Sequence, residues 1–133
     1  SRWDRKVDPK EARAVLGGFH RATTDPETVA TWWLTMPDAN VAVRLGGCTR
    51  VCCVEADSDE GQALLVDLAA GWPRTWAYQA SRGTNWLFRA PVDIPERPQR
   101  HLWPETYGHG IECKTGNGAV TLPPSVHPTG HVY

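Results

Sequence analysis

The clearest pattern along the chain is a run with no alternation. Val51-Cys52-Cys53-Val54 is apolar throughout and passes straight into Glu55-Ala56-Asp57-Ser58-Asp59. Such a run predicts a strand buried on both faces. Helical patterns stand on either side of it. Asp25-Pro26-Glu27 is a start signal, a capping acid followed by proline at the first helical position. Val29, Trp32, Trp33 and Met36 follow at helical spacing until Pro37. The tryptophans of that stripe are expected in the core, where aromatic stripes are usually found. Asp8-Pro9 repeats the start signal, with Ala12, Val15 and Leu16 as its stripe and Gly17-Gly18 as its stop. The stretch from Asp57 to Glu60 can cap a further helix carrying Leu64, Leu65, Leu68 and Ala69 on one face, stopped by Gly71 and Pro73.

Further strands are predicted at Val41–Leu45, Thr75–Gln79, Asn85–Arg89, Ile111–Lys114 and Ala119–Leu122. The Gly46-Gly47 turn predicts a hairpin between Val41–Leu45 and the strand from Val51. The turn Thr115-Gly116-Asn117-Gly118 predicts that Ala119–Leu122 pairs back on Ile111–Lys114. Val92 to Tyr107 is rich in Pro, Arg and Glu and reads as a loop with one helical turn, and His131-Val132-Tyr133 as the start of a last strand. Strands interrupted by helices predict an α+β layer architecture.

Composition narrows this picture only a little. The chain has 133 residues, enough for one domain, with 41% hydrophobic and 22% charged residues. A formal net charge of −1 provides no global basic field, so any polyanion site must be a local patch. No apolar run is long enough to span a membrane and there is no signal peptide, so a cytoplasmic location is expected. The cysteines, Cys48, Cys52, Cys53 and Cys113, lack zinc-site spacing and read as reduced, buried thiols. Cys52 and Cys53 should face opposite ways.

The candidate chemistry begins at Glu55 and Asp57. Side chains alternate along a strand, so two acids one residue apart share a face. Carboxylate oxygens are what Mg²⁺ or Mn²⁺ prefer, although solvated acids at an ordinary strand end are the commoner occurrence of such a pair. Glu112 is a third acid at a strand end beside a turn. Together the three match what two-metal nucleotidyl transfer needs, where carboxylates hold ions about 3.5–4 Å apart. Arg82, in a turn of small residues, and Lys114, on the face of Glu112, are candidate phosphate ligands or else solvated surface charges. Backbone N–H groups around Ser81 to Gly83 could cradle phosphate oxygens. His127 lies between prolines in a loop, either structural or close to a substrate phosphate or sugar.

The order of these motifs resembles the primase-polymerase domain of the archaeo-eukaryotic primase superfamily, in the bifunctional type carried by phages, plasmids and mobile elements. Ala22-Thr23-Thr24-Asp25-Pro26, Trp32-Trp33 and Pro37 to Arg44 are similar to the opening helix and first strand of that family. Val54-Glu55-Ala56-Asp57 sits where it has an acid-x-acid metal motif. Ser81 to Pro91 resembles its second motif, a Ser followed by a His on a strand ending in aromatic residues. Gly110-Ile111-Glu112-Cys113-Lys114 resembles the third, and Gly118 to Gly130, with Pro123-Pro124-Ser125-Val126-His127-Pro128, resembles the closing signature.

The resemblance implies an RRM-like α/β core, mainly antiparallel, with a second small α/β module and an active site between them. It implies template-directed DNA synthesis from dNTP or NTP on a single-stranded template and primer, dependent on Mg²⁺ or Mn²⁺. Glu55, Asp57 and Glu112 would be the metal ligands and catalytic residues. Ser81, Arg82, Asn85, Lys114 and His127 would bind the nucleotide. A helicase of the same replicon is an expected partner, and no membrane is. The chain reads as a single domain over residues 1–133, truncated or reduced at its N-terminus relative to the family. Two positions depart from the pattern: the first motif reads Glu-x-Asp rather than Asp first, and Asn85 replaces the histidine of the second motif. An amide donates a hydrogen bond but cannot become cationic. A catalytically weak nucleotide- or DNA-binding module of the same fold is therefore the alternative. A metal-dependent nuclease is a third reading, which Arg82 and Lys114 suit less well.

Overall fold

A computed structural model describes residues 18–108 and 110–133. The helix expected over Asp8 to Leu16 lies outside the described residues. After a short 3₁₀ turn at Gly18–Arg21, helix α1 spans Pro26–Thr35. Asp25 caps it by accepting from the Thr28 backbone N–H at 2.9 Å. Strands β1 (Val41–Leu45) and β2 (Val51–Ala56) precede helix α2 (Asp59–Ala69), whose N-cap Ser58 accepts from Gly61 N–H at 3.1 Å. Strands β3 (Trp76–Gln79), β4 (Thr84–Arg89) and β5 (Arg100–His101), the one-turn helix α3 (Pro104–Tyr107), β6 (Ile111–Lys114) and β7 (Gly118–Leu122) follow, and a second 3₁₀ turn at Gly47–Thr49 lies between β1 and β2. The α+β class is as expected. The expected last strand is reduced to a single bridge between Val126 and Val132.

A five-stranded antiparallel sheet has the order β3-β4-β2-β6-β5, and β1 and β7 form a separate two-stranded ribbon. Both faces of β2 are used, as its apolar run predicts. Cys53 packs with Leu87 of β4 and with Leu45 and Val120 of the ribbon. Ala56 packs with Trp86, Ile111 and Leu65 of α2. Burying a side chain such as Leu65 contributes about 1.5–3 kcal/mol. The sheet therefore lies between a helix on one face and the ribbon on the other.

Both predicted hairpins across β1–β2 and β6–β7 are absent. Strand β2 bonds to β4 on one edge and β6 on the other, which leaves no edge for β1. Strands β1 and β7 pair with each other instead, from Val41 opposite Leu122 to Leu45 opposite Gly118. The two connections cross between the layers side by side. Gly46 has φ +70° and ψ −158°, a conformation nearly exclusive to glycine. A Cβ built there would stand 2.7 Å from the Gly116 Cα and 2.8 Å from the Thr115 carbonyl oxygen. Glu96 clasps the same crossing, accepting from Gly47 N–H at 2.6 Å.

Helix α1 also departs from expectation. None of its residues is buried, and Trp33 is exposed. Of its stripe, Val29, Trp32 and Met36 are half-buried. Among the cysteines, Cys52 and Cys53 are buried and Cys48 is exposed, contrary to the expectation that all four are covered. Burial raises the thiols of Cys52, Cys53 and Cys113, with the charge of Glu55 adding to the rise at Cys53.

Gly46→Ala combines a forbidden φ with a backbone clash and should cost on the order of 2 kcal/mol or more. Gly47→Ala, with φ +56° and no neighbour nearer than 3.7 Å, should cost only about 1 kcal/mol. Urea denaturation of both variants checks the ranking, and equal losses would contradict the crossing described.

Candidate functional site

Strand β2 delivers its acids where the apolar run ends. Glu55 is the last residue of β2 on the ribbon side, in register with Glu112 on β6. Asp57 follows, its N–H donating to the Gly110 carbonyl at 2.8 Å as the ladder closes. A cleft of about 340 Å³ opens there between the five-stranded sheet and the ribbon. Glu55, Asp57, Ser81, Arg82, Asn85, Lys114 and His127 all line it. Glu112 faces an adjoining cleft of about 600 Å³, which Asp57 and Arg82 also line. The residues singled out by motif and by resemblance are thus brought together from β2, the β3–β4 turn, β4, β6 and the closing loop, with Glu112 in the adjoining cleft.

Charges are distributed unevenly among these residues. Arg82 is 73% exposed and lies 3.9 Å from Asp57, a solvated surface pair of small worth. Lys114 is different. It is 24% exposed, it hydrogen-bonds Glu55 Oε1, and its Nζ lies 3.6 Å from Glu112 Oε2. Burial alone would lower its pKa, but the hydrogen bond and charge of Glu55, with the charge of Glu112, outweigh this and raise it. The other Glu112 oxygen accepts from the Gln99 amide and lies 3.8 Å from His101 Nδ1.

An all-carboxylate donor set suits a hard divalent ion in its ligand chemistry. Among the described residues, however, no three His, Cys, Asp or Glu side chains converge closely enough to hold a metal ion. The arrangement is that of two facing carboxylates bridged by an ammonium. The acids fit the ion by type and order, with Lys114 between two of them.

The phosphate side of the cleft is built on hydrogen bonds that the sequence does not advertise. Asn85 is buried, and its Nδ2 donates to the Tyr78 hydroxyl at 3.1 Å. That hydroxyl donates in turn to the Thr121 carbonyl of β7 at 2.6 Å, tying the sheet to the ribbon. Burial pushes the Tyr78 hydroxyl up to about 12, against the lowering effect of the Asn85 amide, with Cys53 and Glu55 adding to the rise. The β3–β4 turn closes with Ala80 N–H donating to the Gly83 carbonyl at 2.6 Å, above Gln62 of α2, whose Oε1 accepts from Thr84 N–H at 3.2 Å. A Cβ at Gly83 would stand 2.3 Å from that oxygen, so a larger residue there would push the Gln62 side chain from under the turn.

The closing loop is fastened by Asn40 and Ser125. Asn40 Nδ2 donates to the Val126 carbonyl at 2.8 Å, and its Oδ1 accepts from Val126 N–H at 2.9 Å, as a strand neighbour would. Buried Ser125 accepts from Val41 N–H at 2.8 Å. His127 is thereby set at the cleft wall. Thr129 N–H donates to His127 Nδ1 at 3.2 Å, which leaves the neutral ring's proton on Nε2. Tyr133 packs edge-on to Tyr78, His127 and His131. Tyr78, Tyr133, Gln62 and Gln99 were not anticipated from the sequence. Tyr78 was detectable only through its register opposite Asn85, which the chain alone does not reveal.

Comparison with known proteins gives one family. The family model Prim-Pol, described as bifunctional DNA primase/polymerase, N-terminal, matches residues 6–133. No curated protein and no solved structure matches the chain.

Tyr78→Phe strands the Asn85 amide and should cost about 1–3 kcal/mol at neutral pH, the range for an unsatisfied buried polar group. The folded protein holds the Tyr78 proton more tightly than the ordinary value of 10.0, with a folded pKa of about 12. Its contribution is full below pH 10 and is lost as pH rises towards 12. Urea titrations across that interval should show a shallower fall in the variant.

Proposed function

The chain belongs to the family of bifunctional DNA primase/polymerase N-terminal domains, and on that premise we propose that its cleft carries out template-directed nucleotidyl transfer. The family is one of nucleotidyltransferase-type enzymes acting on nucleotides and DNA, and generally metal-dependent. The observation that carries the finer reading is the convergence of Glu55, Asp57, Ser81, Arg82, Asn85, Lys114 and His127 on one cleft, with Glu112 on the adjoining one.

In this proposal Glu55, Asp57 and Glu112 hold Mg²⁺ or Mn²⁺. Such an ion, when bound, neutralises the triphosphate and lowers the pKa of the attacking 3′-hydroxyl. The chain's own groups do the positioning. The exposed guanidinium of Arg82 is free to swing from Asp57 to phosphate oxygens, for which its planar fork is suited. Ser81 and the backbone of the turn offer donors beside it. His127 presents its Nε2 proton, because Nδ1 is already occupied by Thr129. The residues act as one catalytic unit on primer, template and dNTP or NTP, in phage, plasmid or mobile-element replication beside a helicase. No helix among the described residues is long and apolar enough to cross a membrane.

A second reading, a weak or inactive nucleotide-binding module, is favoured by one feature. Asn85 donates inward to Tyr78 rather than standing free to meet a phosphate.

Primer extension with Mg²⁺ and Mn²⁺ in parallel tests both readings. Incorporation should vanish with EDTA. It should fall by more than about 100-fold in Asp57→Ala and in Glu112→Ala, beyond the 10–100-fold typical of lost outer-shell partners. Incorporation that survives both substitutions contradicts the metal assignment. A large gain in Asn85→His, from a wild type with little activity, favours the second reading.

A further inference from the structure

Glu55 and Glu112 stand directly opposite each other on neighbouring strands, and their side chains are only 14% and 7% exposed. Like charges directly opposite on a sheet are destabilising. Arg82 does not relieve them, because it lies at the surface on Asp57. Gln99 reaches Glu112 but brings no charge. Among the described residues, Lys114 is the cation that contacts both acids, through Glu55 Oε1 and Glu112 Oε2, while His101 Nδ1 lies 3.8 Å from the other oxygen of Glu112.

The proposed reaction asks for two things from these groups that the arrangement does not allow together. The carboxylates must turn to a divalent ion, and Lys114 must turn to the triphosphate. We infer that Lys114 is a built-in counter-ion, whose ammonium holds the Glu55–Glu112 pair in the ion-free protein and is displaced when a divalent cation binds. This inference rests on the metal assignment proposed above. Charge favours the exchange. With the ammonium the pair keeps one net negative charge, whereas a divalent ion neutralises it. The displaced ammonium keeps its proton and swings on a flexible four-carbon stem towards the anionic substrate. Cation loading and triphosphate binding are therefore coupled through one side chain, each favouring the other.

Two measurements test this with Mn²⁺ as the probe and need no turnover. Electron paramagnetic resonance of free Mn²⁺ gives affinities for the wild type, Lys114→Met and Glu55→Gln. Lys114→Met should bind Mn²⁺ about tenfold tighter or more, within the 5–150-fold range of ordinary site coupling. Acetylation of the wild type, read by peptide mass and normalised to Lys6 and Lys10, should label Lys114 faster once Mn²⁺ is added. If Glu55→Gln loses the ion, but Lys114→Met binds it no tighter and Mn²⁺ leaves Lys114 labelling unchanged, the counter-ion is overturned and the metal assignment stands. If the wild type and Lys114→Met both fail to bind Mn²⁺, or Glu55→Gln binds it as well as the wild type, the metal assignment falls and the counter-ion with it. Should Lys114→Met not fold, labelling of the wild type decides alone.

Discussion

Strand β2 has neither a free edge nor a free face, and the rest of the described structure follows from that. Its edges are closed by β4 and β6, and its faces by α2 and the ribbon. With no edge left, β1 must leave the sheet, and β7 must leave with it to satisfy the backbone groups of both. The departure of the two strands creates the second layer. The second layer in turn creates the cleft, at the end of β2 where apolar residues give way to Glu55 and Asp57. The core and the site are thus successive segments of one strand.

The sequence revealed elements far better than pairings. Asp25-Pro26 and Ser58 start helices through local capping bonds, and local bonds leave local signatures. The period-2 geometry of a strand likewise shows which residues of β2 and β4 share a face. Pairing is a competition among all the strands for edges, which no local signature records. Gly46-Gly47 looks like a hairpin turn until β2 is seen to have two better partners. The two-residue strand β5 is too short to carry a pattern. The stripe of α1, half-buried at Val29, Trp32 and Met36 and exposed at Trp33, shows the same limit: helical spacing predicts a face, not how deeply it is covered.

The candidate site was legible for the same reason in part. Its acids, its turn and its closing loop are short motifs, and the fold brings them to one place. What was not legible is the layer of side chains that holds them: Tyr78 beneath Asn85, Asn40 bonded to Val126, Gln62 under the turn. Each joins segments far apart in sequence, and each depends on a register that only the assembled sheets define. Lys114 is the sharpest case. Two residues after Glu112 it is expected to face the cleft, and it does. That it lies between two carboxylates follows only once Glu55 and Glu112 are known to be opposite each other.

The pairing of β1 with β7 also dictates an order of events during synthesis. The ribbon joins a segment made early, Val41–Leu45, to one made much later, Gly118–Leu122. Domains fold as the chain emerges from the ribosome, N-terminal parts first. Strands β2, β3 and β4 can associate as soon as Arg89 is out, but β1 then waits with its backbone unpaired. No partial chain that stops before Thr121 carries the carbonyl to which Tyr78 bonds. A nascent chain therefore holds Glu55 and Asp57 on an open sheet, with nothing opposite them to form a cleft. Closure of the ribbon is a late, long-range contact of the kind that limits folding rates.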